Sequence, residues 1–320
     1  MDRLDGRLMI PTPVRIAVQK AAWDVMHEKL VTPVFLSWLE SVCPGTSVKA
    51  VSDEDILDRA LDWFDAVFYP GSIGSALAVE KYGESYRATV RDFVRRGGCF
   101  IGVCGGCYVA AREFRLRSAA KEAVTGVVRK PSAARGAVKD ISGFDRAIGR
   151  RTGRAAVPRM AAALLRGRMK TFDLLDAVAM TPGFFADADF LRDRWSRMVT
   201  DGNLLTVKMR ISKAPHPMID GHEGESVASS YSGGPLLESL HRSIVPLATY
   251  AGCETLPEAE GKVALAIARH GDGTVIVSGP DFYLPFEAAP GICVREGMEP
   301  SVPWLTRRVI AGHKNYRRVG

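Results

Sequence analysis

The chain has 320 residues, of which 47% are hydrophobic and 25% charged, and its formal net charge is +7. This composition is typical of a soluble globular protein and argues against a disordered or fibrous one. The first twenty residues are charged and do not resemble a secretory signal, and no run of about 18 apolar residues could span a membrane. We therefore expect a cytoplasmic protein.

Cysteines are spread along the chain, at positions 43, 99, 104, 107, 253 and 293. A chain of this length can stabilise itself without cross-links, and the spacing is unlike the dense pattern of a disulfide scaffold. The sequence therefore predicts reduced thiols.

The first hundred residues alternate between short apolar runs and amphipathic stretches, which is typical of a parallel α/β sheet. Parallel α/β sheets place their sites beyond the carboxyl ends of the strands, which directs attention to the loops after the third and fourth strands. The predicted strands are 14–18, 47–51, 66–69 and 100–103, and the predicted helices are 32–42, 85–96 and 108–120.

The segment 113–200 departs from this pattern and is strongly basic. Between Arg112 and Lys170 there are sixteen Arg and Lys and four acidic residues, a local excess of +12. We expect a helical insertion, with helices at 155–169, 172–180 and 190–198, within a single α/β domain spanning 1–320. Its basic surface could simply be solvated, dock on a protein partner or an anionic membrane, or bind nucleic acid.

Strand patterns resume after the insertion. The residues His270 to Gly273 favour a hairpin turn, and Pro246 indicates an edge position or a late start for its strand. A helix from Leu236 to Arg242 is also predicted, and the tail 286–320 is expected to form a C-terminal arm on the surface. The predicted strands are 204–209, 244–250, 262–268 and 274–278.

Cys104 is the leading candidate for a functional residue. The apolar run from Phe100 to Val103 delivers it into the small residues Gly105 and Gly106, just before a predicted helix. A strand-to-helix turn of this kind exposes a nucleophile, and a helix N-terminus favours the thiolate. Alternatives are two structural cysteines at 104 and 107, a Cys-x-x-Cys redox pair, or half a zinc site, for which no second ligand pair stands in the sequence.

Several motifs resemble the class I glutamine amidotransferase-like superfamily. They are Tyr69-Pro70-Gly71-Ser72 and the run from Phe93 to Cys107. The element Tyr231-Ser232-Gly233-Gly234-Pro235 and the run from Gly273 to Pro280 are similar to elements of the subgroup that includes the N-terminal domain of eukaryotic biotin-protein ligases. The resemblance covers 12–112 and 203–285, and it implies a flavodoxin-like, mostly parallel sheet flanked by helices with Cys104 as nucleophile.

The resemblance also implies an oxyanion hole and a substrate pocket. The backbone N–H of Gly105 and one N–H of Gly71 or Ser72 would stabilise the oxyanion. The residues Tyr231, Gly233 and Gly234 would line the pocket, although the same residues could form only a tight turn.

The chain departs from the family where a base is needed. Asp281 stands at the position of the family's histidine, and Tyr283 at that of its glutamate. The base could be His216 or His222, which lie in a predicted loop, or Asp281 itself; otherwise the site is degenerate and binds without reacting.

We therefore expect a cysteine-dependent amide hydrolase or amidotransferase-like enzyme that acts on a small-molecule or peptide amide without a cofactor or a metal, as a monomer or a homo-oligomer. One alternative is a catalytically silent member of the superfamily that binds a ligand or a protein partner. Another is a protein that binds anionic surfaces, membrane or nucleic acid, through 113–200.

Overall fold

The computed structural model describes residues 13–20, 31–71, 74–115, 169–183, 205–231, 233–252, 256–283 and 302–311. Most of the segment 113–200, including nearly all of the helices predicted at 155–169 and 190–198, lies outside these residues. So do Ser72, Cys253, Cys293 and the ends of the arm 286–320.

One sheet of twelve strands organises the described residues, with helices beside it. The strands are β1 Val14–Gln19, β2 Thr46–Val51, β3 Ala66–Tyr69, β4 Cys99–Val103, β5 Ala111–Arg115, β6 Leu175–Met180, β7 Leu205–Ile211, β8 Ser226–Tyr231, β9 Leu236–Glu238, β10 Val245–Tyr250, β11 Val263–His270 and β12 Gly273–Ser278. The helices are α1 Val31–Val42, α2 Asp53–Leu57, α3 Gly74–Arg95, α4 Gly105–Ala110 and α5 Pro303–Ala311.

Five strands form a parallel half of the sheet in the order β2-β1-β3-β4-β12. This is the flavodoxin-like order, so the predicted α/β fold is confirmed. The strands β3, β4 and β12 are buried along their whole length because apolar side chains pack on both faces. Phe100 lies in the core on one face, and Ile101 in the core on the other.

An antiparallel extension, β11-β10-β7-β8, continues the sheet beyond β12. The strands β11 and β12 form the hairpin predicted around Gly271. Pro246 lies in an interior strand, not at an edge of the sheet. On the side of β7, however, β10 pairs only from Ala248 onward, so the strand starts late there, which was the other interpretation of the proline. A bridge between Ser230 and Asp281 brings the chain after β12 against β8.

Three predicted helices are wrong, and in each case a short strand pairs with another in a side branch of the sheet. The helix predicted at 108–120 begins at Gly105, ends at Ala110 and is followed by β5. The helix predicted at 172–180 contains β6, and the one at 236–242 contains β9. Because β5 pairs with β6 and β6 with β9, partners distant in sequence override the local helical pattern. The insertion therefore contributes a strand to the sheet.

The tail was expected to lie on the surface, and for α5 this is wrong. Its side chains Leu305, Val309 and Ile310 are buried in the same core as Ile101. The spacing of these residues gives the helix one apolar face, which the prolines before it obscured. Among the described residues, none of the helices is both long enough and apolar enough to cross a membrane.

Candidate active site

Cys104 adopts a strained backbone conformation at the turn between β4 and α4. Its φ is 49° and its ψ is −105°, values that a residue with a side chain rarely adopts. The turn is held because the Cys104 N–H donates to the Ser278 carbonyl at 2.8 Å, while the Cys104 carbonyl accepts from Cys107 and Tyr108. Such strain costs about 1–3 kcal/mol and is concentrated at functional sites. The side chain is 8% exposed.

Gly106 fixes the approach of this turn to the neighbouring strand. A β-carbon at position 106 would lie 2.3 Å from the carbonyl oxygen of Tyr69, which no side chain allows. The second glycine after the cysteine is therefore required by packing rather than by space for a substrate.

Gly71 lies where three functional groups converge. A β-carbon at this position would lie 2.5 Å from Asp281 Oδ1, 3.0 Å from Cys104 Cβ and 3.4 Å from the Tyr283 hydroxyl. The absence of a side chain at Gly71 thus lets the carboxylate and the cysteine approach one point from two sides.

Asp281 is held beside Cys104 by the end of β12 and by β8. It is completely buried, and its N–H donates to the Ser230 carbonyl at 2.7 Å. Its position two residues after Gly279 is the one that the family's histidine occupies in the resemblance. A carboxylate in this position can accept a proton from the thiol of Cys104.

Tyr283 changes the predicted oxyanion hole. Its hydroxyl accepts the Gly71 N–H at 2.8 Å. This amide, one of the two predicted for the oxyanion hole, therefore already has an acceptor within the fold. The Tyr283 ring is buried and meets Phe68 edge-on at 5.4 Å between centroids. Burial, and next the charge of Asp281, raise the pKa of the Tyr283 hydroxyl, which therefore keeps its proton. The Gly105 N–H, at the first position of α4, has no acceptor within its own helix.

The Tyr231–Pro235 element packs on the same cluster, through tyrosine hydroxyls that bind its carbonyls. Tyr108, one turn after Cys104 on α4, donates to Gly233 at 3.0 Å, and Tyr231 donates to Gly234 at 2.7 Å. Burial and then charge at Cys104 raise the pKa of Tyr108. The element therefore adjoins Cys104, but the carbonyls of its two glycines already accept hydrogen bonds.

The two candidate histidines lie in the hairpin loop between β7 and β8. This loop is at the end of the strand pair opposite to Tyr231, about 20 Å away along strands of this length. His216 Nδ1 accepts the Met218 N–H at 3.2 Å, and His222 stacks on Trp304 at 3.8 Å between ring centroids. A catalytic role for either histidine stays a prediction, and Asp281 is the candidate base that the fold brings to Cys104.

Cys107 is buried among apolar groups, and burial raises the pKa of its thiol, which makes it unreactive. None of the four described cysteines forms a disulfide. In the described part of the chain, no three His, Cys, Asp or Glu side chains cluster as metal ligands would.

Sequence reasoning missed the roles of Tyr283 and Tyr108. The signal for Tyr108 is its spacing, since residues four apart lie on one face of a helix and Tyr108 follows Cys104 at that distance. The signal for Tyr283 is weaker, because a contact between residues 212 positions apart requires the pairing of β12 with β4 to be known.

No protein-family model matches the chain, and no curated protein is significantly similar to it in sequence. Among solved structures, PurLQS from Thermotoga maritima is 12% identical, with 95% of this chain and 99% of that chain covered and a TM-score of 0.48. A cytoplasmic protein from Salmonella typhimurium LT2 is 13% identical, with 94% and 99% covered and a TM-score of 0.46. These similarities are too weak to bear on activity.

Proposed function

We propose that the protein is a cysteine-dependent enzyme of the class I glutamine amidotransferase-like kind, with Cys104 as the nucleophile that attacks an amide carbonyl. The observation that carries the proposal is the strained conformation of Cys104, maintained at a residue that is not glycine, directly beside a buried carboxylate. The packing of Tyr231–Pro235 on this cluster supports the finer resemblance to the biotin-protein ligase N-terminal subgroup.

In the proposed reaction the Cys104 sulfur forms a bond to the carbonyl carbon while its proton passes to Asp281. The electron pair of the carbonyl moves to its oxygen, which the Gly105 N–H and the Tyr283 hydroxyl stabilise. Because the Gly71 N–H donates to the Tyr283 oxygen, it polarises the hydroxyl and strengthens its donation. The carbonyl then re-forms as the C–N bond breaks, and Asp281 gives its proton to the leaving amine, so that a thioester remains. Water attacks this thioester, and the C–S bond breaks to release the acid and the thiol.

Asp281 replaces a histidine in this scheme, and its burial makes the replacement chemically reasonable. A carboxylate in water is a weak base toward a thiol. Asp281 is completely buried, so bulk water does not compete with it for the proton of the thiol.

The test measures the acylation of the protein by p-nitrophenyl acetate and ammonia release from L-glutamine. Cys104→Ala should abolish acylation, whereas Cys107→Ala, which removes the buried thiol one turn away, should leave it intact. Asp281→Asn should slow acylation about 100-fold or more, the usual share of a general acid–base group.

Alkylation with iodoacetamide separates the role of Asp281 from simple damage. This reagent also needs the thiolate, so Asp281→Asn, which removes the proposed proton acceptor, should slow the labelling of Cys104 near pH 7 as well as acylation, while the buried Cys107 of the folded variant stays unlabelled. If the folded wild-type protein shows no acylation at all, the proposal fails and the silent, ligand-binding alternative is favoured. If neither labelling nor acylation falls in Asp281→Asn, Asp281 does not act as the base.

A further inference from the structure

A groove lies at the antiparallel extension, beside the start of α5. Its volume is about 740 Å³, and its walls are the start of α5 on one side and strands β7 and β8 on the other. Pockets of this size hold small organic ligands. The polar groups of its floor are Lys208 and Arg210.

The depression follows from the sequence of the two strands. Lys208 and Arg210 are two apart on β7, so both point to the outer face, and their direct partners on β8 are Ala228 and Ser226. These partners have short side chains, so they cover little of the surface beside the two cations.

The charge of the groove is one-sided. None of its described lining residues is acidic, and within the described chain no carboxylate forms an ion pair with Lys208 or Arg210. Most cations elsewhere in these residues have a partner, such as Arg112 with Asp176 and Lys262 with Glu238. Two cations about 7 Å apart along a strand can bind one acidic group together.

Trp304 gives the groove a fixed aromatic wall. Its ring stacks on His222 at 3.8 Å and 8° from parallel, and His222 is in turn bonded to Glu225 at 2.9 Å. The ring is therefore oriented before a ligand binds, which lowers the entropy cost of stacking a flat group against it. Val302 and Pro303 extend this apolar wall.

We propose that this groove binds a small anion with a flat, apolar body and a phosphate or carboxylate group, the acidic group on Lys208 and Arg210 and the body against Trp304. The site is independent of the proposed chemistry at Cys104. The two sites are linked where the Val302 N–H donates to the Phe282 carbonyl at 2.8 Å.

The test is calorimetric titration of the full chain with phenyl phosphate, benzoate and inorganic phosphate. Phenyl phosphate or benzoate should bind at least tenfold more tightly than inorganic phosphate, and which of the two binds better identifies the acidic group. The double variant Lys208→Ala, Arg210→Ala should weaken binding at least tenfold. Its matched control is Lys49→Ala, Arg269→Ala, since these residues are also exposed on strands, and it should bind like the wild type.

Two further variants complete the test. Trp304→Ala should remove the preference for the aromatic ligands over inorganic phosphate, and Cys104→Ala should bind as the wild type does, even if the proposed enzyme activity is not found. Equal binding of phenyl phosphate by the wild type and by the Lys208, Arg210 double variant would overturn the proposal. So would an affinity for inorganic phosphate that matches that for both aromatic ligands.

Discussion

The parallel half and the antiparallel extension contribute different things to the candidate active site. The parallel half supplies the strained turn at Cys104 and the Gly71 loop, both at the carboxyl ends of buried strands. The antiparallel extension supplies the Ser230 carbonyl that fixes Asp281. The position of Cys104 is therefore set by local backbone geometry, and that of Asp281 by a contact between distant segments.

This division bears on the position of Asp281, where the family that the sequence resembles has a histidine. The position after β12 is delivered to Cys104 by the parallel pairing of β12 with β4, whatever side chain stands there. The identity of the side chain then decides the chemistry, and here it is a buried carboxylate.

The largest effect is expected for Tyr283→Phe, which removes the hydroxyl that links the segment after β12 to the Gly71 N–H. Loss of one oxyanion donor should slow acylation by p-nitrophenyl acetate about 100-fold. Labelling of Cys104 by iodoacetamide should change little, because alkylation forms no oxyanion. The ring contact with Phe68 is retained in the variant.

Tyr250→Phe is the matched control, since it removes a buried hydroxyl that donates to the Pro235 carbonyl at 3.2 Å. It should retain most of the acylation rate. Faster acylation in Tyr283→Phe would mean that the hydroxyl blocks the Gly71 N–H rather than acting through it.

A smaller effect is expected for Gly71→Ala, which forces the two regions apart. The new methyl group would overlap Asp281 Oδ1 and crowd Cys104 Cβ. Overpacking should lower the free energy of unfolding by about 1–3 kcal/mol. Acylation should fall about tenfold or more, because small displacements of reacting groups are costly.

Gly183→Ala controls for the overlap itself. A β-carbon there would lie 2.6 Å from Glu258 Oε1, the end of a flexible side chain that can move aside. Urea unfolding and acylation of this variant should resemble the wild type. If Gly71→Ala is equally harmless, Asp281 and Cys104 do not need their close approach.

Much of the parallel half could be predicted from the sequence because its signals are local. The runs at 66–69 and 100–103 are continuously apolar and are bounded by glycine and proline, so their limits match β3 and β4 within one residue. The turn at Cys104 follows from the same pattern, since a strand that ends in small residues before a helix leaves few other conformations.

The rest depends on pairing between distant residues. The stretch around Val178 has helical spacing, yet it becomes a strand because Phe114 and its neighbours on one side and Leu237 on the other offer backbone partners. The contact of Tyr283 with Gly71 and the packing of α5 in the core likewise depend on residues that are distant in sequence. Local propensity cannot report such contacts.

The smallest effect is expected for Asp53→Asn, which tests the parallel half without touching the active site. Asp53 is buried at the carboxyl edge of this half, where Gln19 Nε2 and the Tyr86 hydroxyl donate to its Oδ1 at 2.8 and 2.6 Å. Burial raises the pKa of this carboxyl above its ordinary value of 3.8, in spite of the two hydrogen bonds. At pH values between the pKa of the unfolded state and that of the folded state, the folded state therefore holds a proton that the unfolded state has released.

The sign of the pH dependence follows from this difference. Asp53 contributes its full stability below its unfolded pKa, and the contribution is lost as pH rises through the higher pKa of the folded state, with a slope of at most about 1.4 kcal/mol per pH unit. In Asp53→Asn the amide oxygen can still accept both hydrogen bonds but does not titrate. Urea unfolding from about pH 4 to 7 should show the wild type losing stability relative to this variant. Asp58→Asn, at an exposed position, should show the same pH dependence of stability as the wild type, and acylation at Cys104 should be unchanged in both variants. If the stabilities of Asp53→Asn and the wild type instead change in parallel with pH, Asp53 ionises as easily in the folded protein as in the unfolded chain.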